Sequence, residues 1–108
     1  KKAGQPGEKA KGVDNSCPLS GFIPAAEFSG DPQNTPLGLK INGEVRQQGT
    51  TADMVHKIIP LIAYMRRFFT LEAGDVVLTG TPEGVGPLHS GDELEVSFNG
   101  HSLTTRVL

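Results

Sequence analysis

Apolar and polar positions change their period several times along the chain, and each change marks a candidate element. Leu37-Gly38-Leu39-Lys40-Ile41 alternates apolar with other residues, meets Asn42-Gly43, and continues as Glu44-Val45-Arg46-Gln47. Asn-Gly between two short runs predicts a hairpin, because both turn residues tolerate positive φ. A second Asn-Gly, Asn99-Gly100, joins Leu94, Val96 and Phe98 to Leu103, Thr105 and Val107. Each period-two run puts one face of a strand on a core.

Between the hairpins the period lengthens. Met54, Ile58, Leu61, Met65 and Phe68 follow a three-to-four spacing, widened by Val55, Ile59, Ile62 and Phe69, with Lys57, Tyr64, Arg66 and Arg67 mostly outside the stripe. This predicts an amphipathic helix capped by Thr50 or Thr51, with Asp53 in the first turn if Thr50 is the cap. Pro60 lacks an N–H and clashes with the preceding turn, which predicts a break there and two short helices. Residues 75–79 predict a buried strand around Val76-Val77-Leu78. Residues 1–36 hold neither period and predict loop with brief extended pieces, although Val13, Cys17, Leu19, Phe22, Ile23 and Phe28 call for packing. The sum is a mostly β fold with one interrupted helix and no internal repeat.

Composition narrows the class. A chain of 108 residues predicts a single domain, residues 1–108, divided into a loop-rich segment 1–36 and a segment 37–108 of hairpins, helix and Gly-rich loop. With 14 glycines and 8 prolines spread through it, the chain is turn-rich and not low-complexity. A net charge of −2 gives no general attraction to nucleic acid or anionic lipid, and neither is expected as a partner. Lys1, Lys2, Lys9 and Lys11 form the local exception, most simply a solvated terminus. One cysteine, Cys17, excludes an internal disulfide, so a cytoplasmic setting and a small buried thiol are expected. No apolar run reaches the ~20 residues of a membrane span.

Candidate chemistry concentrates in residues 79–87, Thr-Gly-Thr-Pro-Glu-Gly-Val-Gly-Pro. Glycines let backbone N–H groups turn toward an anion, and a threonine adds a hydroxyl. The loop is neither a Walker sequence nor a dinucleotide fingerprint, and taken alone an ordinary tight turn between strands is the simpler reading. His56, His89 and His101 have no metal-ligand spacing. Glu93 and Glu95 share the face opposite Leu94 and Val96, most simply the solvated face. From the residues alone, function stays undetermined.

Three blocks then carry a resemblance: Ala10-Lys11 with Asp14-x-Ser16-Cys17-Pro18; Arg46-Gln47-x-Gly49-x-Thr51-x-x-Met54; and Leu78-Thr79-Gly80-Thr81-Pro82-x-Gly84-Val85-Gly86-Pro87. In order and spacing they resemble the fumarylacetoacetate hydrolase family, closest to its acylpyruvate hydrolase-like branch, over essentially the whole chain. The resemblance implies the C-terminal part of a mixed β-sandwich or roll, and a homodimer in the complete enzyme. It implies Mg²⁺- or Mn²⁺-dependent cleavage of a C–C bond in acylpyruvates and other 2-oxo acids, passing through an enolate. Oxaloacetate decarboxylation or tautomerisation within the same family is the alternative, and a catalytically inert β module is the rival from another class.

By the same resemblance, Lys11 would stabilise the enolate oxygen as a fixed ammonium, and Thr81 with the Gly80 backbone would hold the substrate carboxylate. Gln47 and Thr51 match positions near the site, where capping or dimer contacts explain them equally well. Gly7 stands where the family usually has tryptophan, and Val13 where it has phenylalanine. The family's metal-binding acidic residues and its lid His/Glu fall upstream of every residue here, so no metal ligand is expected in this chain.

Overall fold

The computed structural model describes residues 14–108. Lys11, Gly7 and Val13 therefore lie outside the described residues.

The two Asn-Gly turns build the sheet. Strand β1 (Pro36–Ile41) turns at Asn42-Gly43 into β2 (Glu44–Thr50), and β3 (Glu93–Phe98) turns at Asn99-Gly100 into β4 (His101–Arg106). Asn42 and Asn99 adopt φ of 52° and 50°, and the glycines after them 85° and 74°, the left-handed pair that a tight hairpin turn requires. β1 also pairs antiparallel with β3, giving the order β2-β1-β3-β4. Leu37, Leu39 and Ile41 sit opposite Phe98, Val96 and Leu94. One apolar face results, with Ile41 its best-covered side chain at 6% exposure. Glu93 and Glu95 lie on the other face, exposed, and Glu93 pairs with Arg106 at 3.0 Å.

Both turn asparagines also bind across the fold. Asn42 Oδ1 accepts from Glu93 N–H and its Nδ2 donates to Asp92 Oδ1, both at 2.9 Å. Asn99 Nδ2 donates to the Ser29 carbonyl at 2.7 Å, and Phe28 packs on Phe98 with ring centroids 5.6 Å apart. These contacts draw the loop-rich segment onto the second hairpin.

The helical stretch is interrupted, but ahead of Pro60 and not at it. Thr50 accepts from Ala52 N–H and caps a 3₁₀ turn, Thr51–Asp53. Helix α1 (Ile58–Met65) then starts anew. Pro60 falls in its first turn, where a backbone N–H has no partner inside the helix, so the ring breaks nothing. The strand expected at residues 75–79 does not form: no described strand pairs with it, and Leu78 is 75% exposed. Apolar runs of this length give no direction for pairing, and only a ladder partner makes them strands. Cys17 is exposed rather than buried, in a segment without regular structure that carries Phe22 at 73% exposure.

Candidate functional site

A β-bulge aims the site. Leu39 pairs with Gln47 but Lys40 with Val45, which leaves Arg46 as an extra residue in β2. Gln47 thus comes to lie opposite Leu39, on the apolar side of the sheet. The Gly-rich loop after residue 79 crosses this same side, and together they enclose a concavity of about 150 Å³ lined by Leu39, Arg46, Gln47, Thr81, Gly84 and Val85, among others.

The close approach depends on missing side chains. A Cβ on Gly49 would sit 3.1 Å from Pro82 Cβ, and one on Gly84 would strike the Arg46 carbonyl oxygen. Gly84 also has φ of 111°, and Gly80 φ of 104°, conformations that L side chains rarely adopt. With the loop down on β2, the Gln47 amide Nε2 donates to Thr81 Oγ1 at 2.9 Å and to the Pro82 carbonyl at 2.8 Å. Two of the residues singled out from sequence, Gln47 and Thr81, are therefore in direct contact. Gly80 stands beside them with open space where a side chain would project.

Thr51 does something else. Its hydroxyl donates to the Pro32 carbonyl at 2.6 Å and accepts from Thr35 N–H at 2.9 Å, while its own N–H donates to the Thr35 carbonyl at 2.9 Å. Buried and satisfied on both sides, it ties residues 32–35 to the end of β2. Gln33 extends this tie by accepting from Ile58 N–H at 2.7 Å and donating to the Thr51 carbonyl. Neither Gln33 nor the supporting roles of Gly49 and Gly84 follow from sequence period, because all three act across the fold.

The three histidines are exposed. Among the described residues no three His, Cys, Asp or Glu side chains converge as a metal site, so the described residues do not by themselves fit a divalent cation. Asp92 is held below its ordinary range, first by the His89 backbone N–H that donates to it and second by the Asn42 amide. It serves the turn before β3. No described helix is long and apolar enough to cross a membrane.

Known proteins share this sequence and this fold. Residues 1–108 match the fumarylacetoacetate (FAA) hydrolase C-terminal family. The chain is 82% identical over 108 residues to oxaloacetate tautomerase YcgM of Escherichia coli, covering 100% of this chain and 49% of that one. It is 46% identical over 100 residues to the mitochondrial oxaloacetate tautomerase FAHD1 of Homo sapiens, covering 93% and 45%. Among solved structures, maleylpyruvate hydrolase from Sphingobium superposes with a TM-score of 0.83 at 34% identity, covering 89% of this chain and 36% of that one. The chain spans about half the length of the curated relatives it matches. By family match, whole-chain identity and shared fold, it belongs to the fumarylacetoacetate hydrolase family, and its sheet, helix and Gly-rich loop are that family's C-terminal part.

Proposed function

We propose that this chain is the C-terminal part of a single catalytic domain that tautomerises oxaloacetate with a divalent cation. The observation that carries the proposal is the 82% identity, across every residue of the chain, to an oxaloacetate tautomerase. The resemblance alone put acylpyruvate C–C hydrolysis first. The relatives reverse that order, since the hydrolase likeness comes at 34% identity and the tautomerase likeness at 82% and 46%.

The reaction moves a proton between C3 of oxaloacetate and the oxygen on C2, with negative charge gathering on that oxygen along the way. Groups that meet this charge lower the barrier, and groups that hold the carboxylate fix the geometry in which they do so. Thr81 and the Gly80 backbone are assigned the carboxylate, at the rim of the concavity under Gln47. Lys11, outside the described residues, is assigned the enolate oxygen as a point charge. Manganese and pyruvate are bound in a solved maleylpyruvate hydrolase of Sphingobium, 34% identical to this chain. Such a cation would supply Lewis-acid polarisation of the 2-oxo acid, from ligands other than the described residues. A cytoplasmic homodimer completes the proposal.

The test is the full-length, Mg²⁺-loaded protein, with the ultraviolet absorbance of enol-oxaloacetate followed as it converts to the keto form. Lys11→Met is expected to slow kcat by ~10²-fold or more, the scale of losing one electrostatic stabiliser. A wild-type rate no faster than buffer with Mg²⁺ rejects the tautomerase reading. A Lys11→Met rate near wild type rejects the role given to Lys11.

A further inference from the structure

The hydrogen-bond polarity of the Thr81 hydroxyl follows from its neighbour. Gln47 Nε2 is 2.8 Å from the Pro82 carbonyl oxygen. A carbonyl only accepts, so the atom facing it is the amide nitrogen, and the chemistry of the partner settles which way the Gln47 amide points. The same NH₂ carries a second N–H, and Thr81 Oγ1 lies 2.9 Å away. Thr81 must therefore accept from Gln47, and its own proton is directed elsewhere. Among the described residues that proton finds no acceptor, and Thr81 is exposed at the concavity.

We propose that Gln47 is a positioning residue that fixes Thr81 as an outward hydrogen-bond donor and so matches the loop to a carboxylate. The proposal rests on the reading that this loop holds the substrate carboxylate. A free threonine hydroxyl rotates between donating and accepting. One pinned by an amide N–H on its oxygen favours an anionic oxygen and disfavours a group that brings its own hydrogens. The rest of the local structure serves the same contact. The bulge at Arg46 swings Gln47 onto the loop side, and Gly49 and Gly84 let Pro82 and the loop backbone approach closely enough for one amide to reach both acceptors.

The experiment is a double-mutant cycle in the full-length, Mg²⁺-loaded protein, reading kcat and KM for oxaloacetate and, separately, the Kd of pyruvate by calorimetry. Gln47→Met keeps the volume and removes the donor. It is expected to raise KM and the pyruvate Kd by about tenfold, the scale of one hydrogen bond to a charged group, with kcat much less affected. In a Thr81→Val background the same change is expected to add nothing, because the group it acts through is gone. Gln47→Glu, run through the same cycle, stands in if Gln47→Met does not fold: its carboxylate accepts from Thr81, turns the proton inward and should weaken pyruvate binding only while the hydroxyl is present. Multiplicative effects in the cycle, a loss confined to kcat, or wild-type pyruvate affinity in Gln47→Met would each overturn the proposal. If the wild type binds pyruvate but fails to tautomerise oxaloacetate, the proposed reaction falls while the pyruvate cycle still judges Gln47. If the wild type binds no pyruvate, the role of Gln47 falls with the carboxylate cradle.

Discussion

Asp92 illustrates how one side chain fixes a turn. Its two carboxylate oxygens take different donors, His89 N–H on Oδ2 and Asn42 Nδ2 on Oδ1, both at 2.9 Å. Donors stabilise the charged form, and Arg46 adds a weaker favourable charge, so the folded-state pKa falls below the ordinary 3.8. A carboxyl group with a depressed folded pKa contributes its stability above the unfolded value and loses it as pH falls through the folded one. Asp92→Asn offers only one acceptor oxygen to the two donors, so one N–H would face the new NH₂. The variant of the full-length protein is expected to melt below wild type at neutral pH, and the gap between the two should close as pH drops below 3.8. Thermal melts of both proteins across that range check it; a gap that widens in acid would contradict the assigned hydrogen bonds. At this scale the sequence offered little. Glu93 and Glu95 read as the solvated face of a strand, and nothing set Asp92 apart: its first donor, His89 N–H, is three residues away, but its second, Asn42, is fifty away, a contact that sequence spacing does not reveal.

At the scale of elements, local chemistry was legible and long-range contact was not. Both hairpins follow from Asn-Gly with period-two flanks, since a two-residue turn sets its own register. The helix follows from its apolar spacing, yet its start does not, because the group that receives the first free N–H belongs to a loop. Gln33 accepts from Ile58 N–H and donates to the Thr51 carbonyl, acting as a cap delivered from 25 residues upstream. Deleting it with Gln33→Ala should cost about 1–2 kcal/mol, the range for losing a helix cap. Gln33→Glu, which keeps the acceptor and loses the donor, should cost less. Urea midpoints of the full-length proteins measure both, and faster amide exchange at residues 58–62 would locate the damage; unchanged exchange there would assign Gln33 no capping role. The candidate site divides the same way. Gly80 and Thr81 stood out as a Gly-rich loop, and Gln47 through the family resemblance, but their contact depends on the Arg46 bulge, which no local pattern announces. The strand expected at residues 75–79 fails for the complementary reason: Val76, Val77 and Leu78 have the right side chains and no neighbouring strand among the described residues.

At the scale of the whole molecule, the apolar surface is out of proportion to the core. Among the described residues Ile41 is the single apolar side chain that is buried, whereas Val55, ahead of the helix, is 91% exposed, Ile59 in its first turn is 75% exposed, and Phe68 and Phe69 just past its end are exposed as well. Close packing between elements is dominated by strand against strand, so among the described residues the helix stripe has little cover and the apolar face of the sheet is covered only in part, by the Gly-rich loop. A domain near 100 residues is stable by only about 5–15 kcal/mol after chain entropy is offset, and each apolar side chain left in water withholds about 1.5–3 kcal/mol of the burial term. With so little cover, these faces leave too little burial to offset the entropy of ordering the chain. The relatives are about twice as long, and a chain of that length has the residues to cover both. These 108 residues expressed alone are therefore expected to melt without a cooperative transition and to bind a hydrophobic dye, while the same residues within a chain of the relatives' length melt sharply and bind little. Differential scanning calorimetry and dye titration on the two proteins decide it. A sharp, reversible transition from the short chain as a monomer would mean that the exposed stripe is tolerated and that the site loop can be held by this sheet alone. Loss of the transition only in the short chain would place the stability of the Gln47–Thr81 contact in surface supplied from outside these residues.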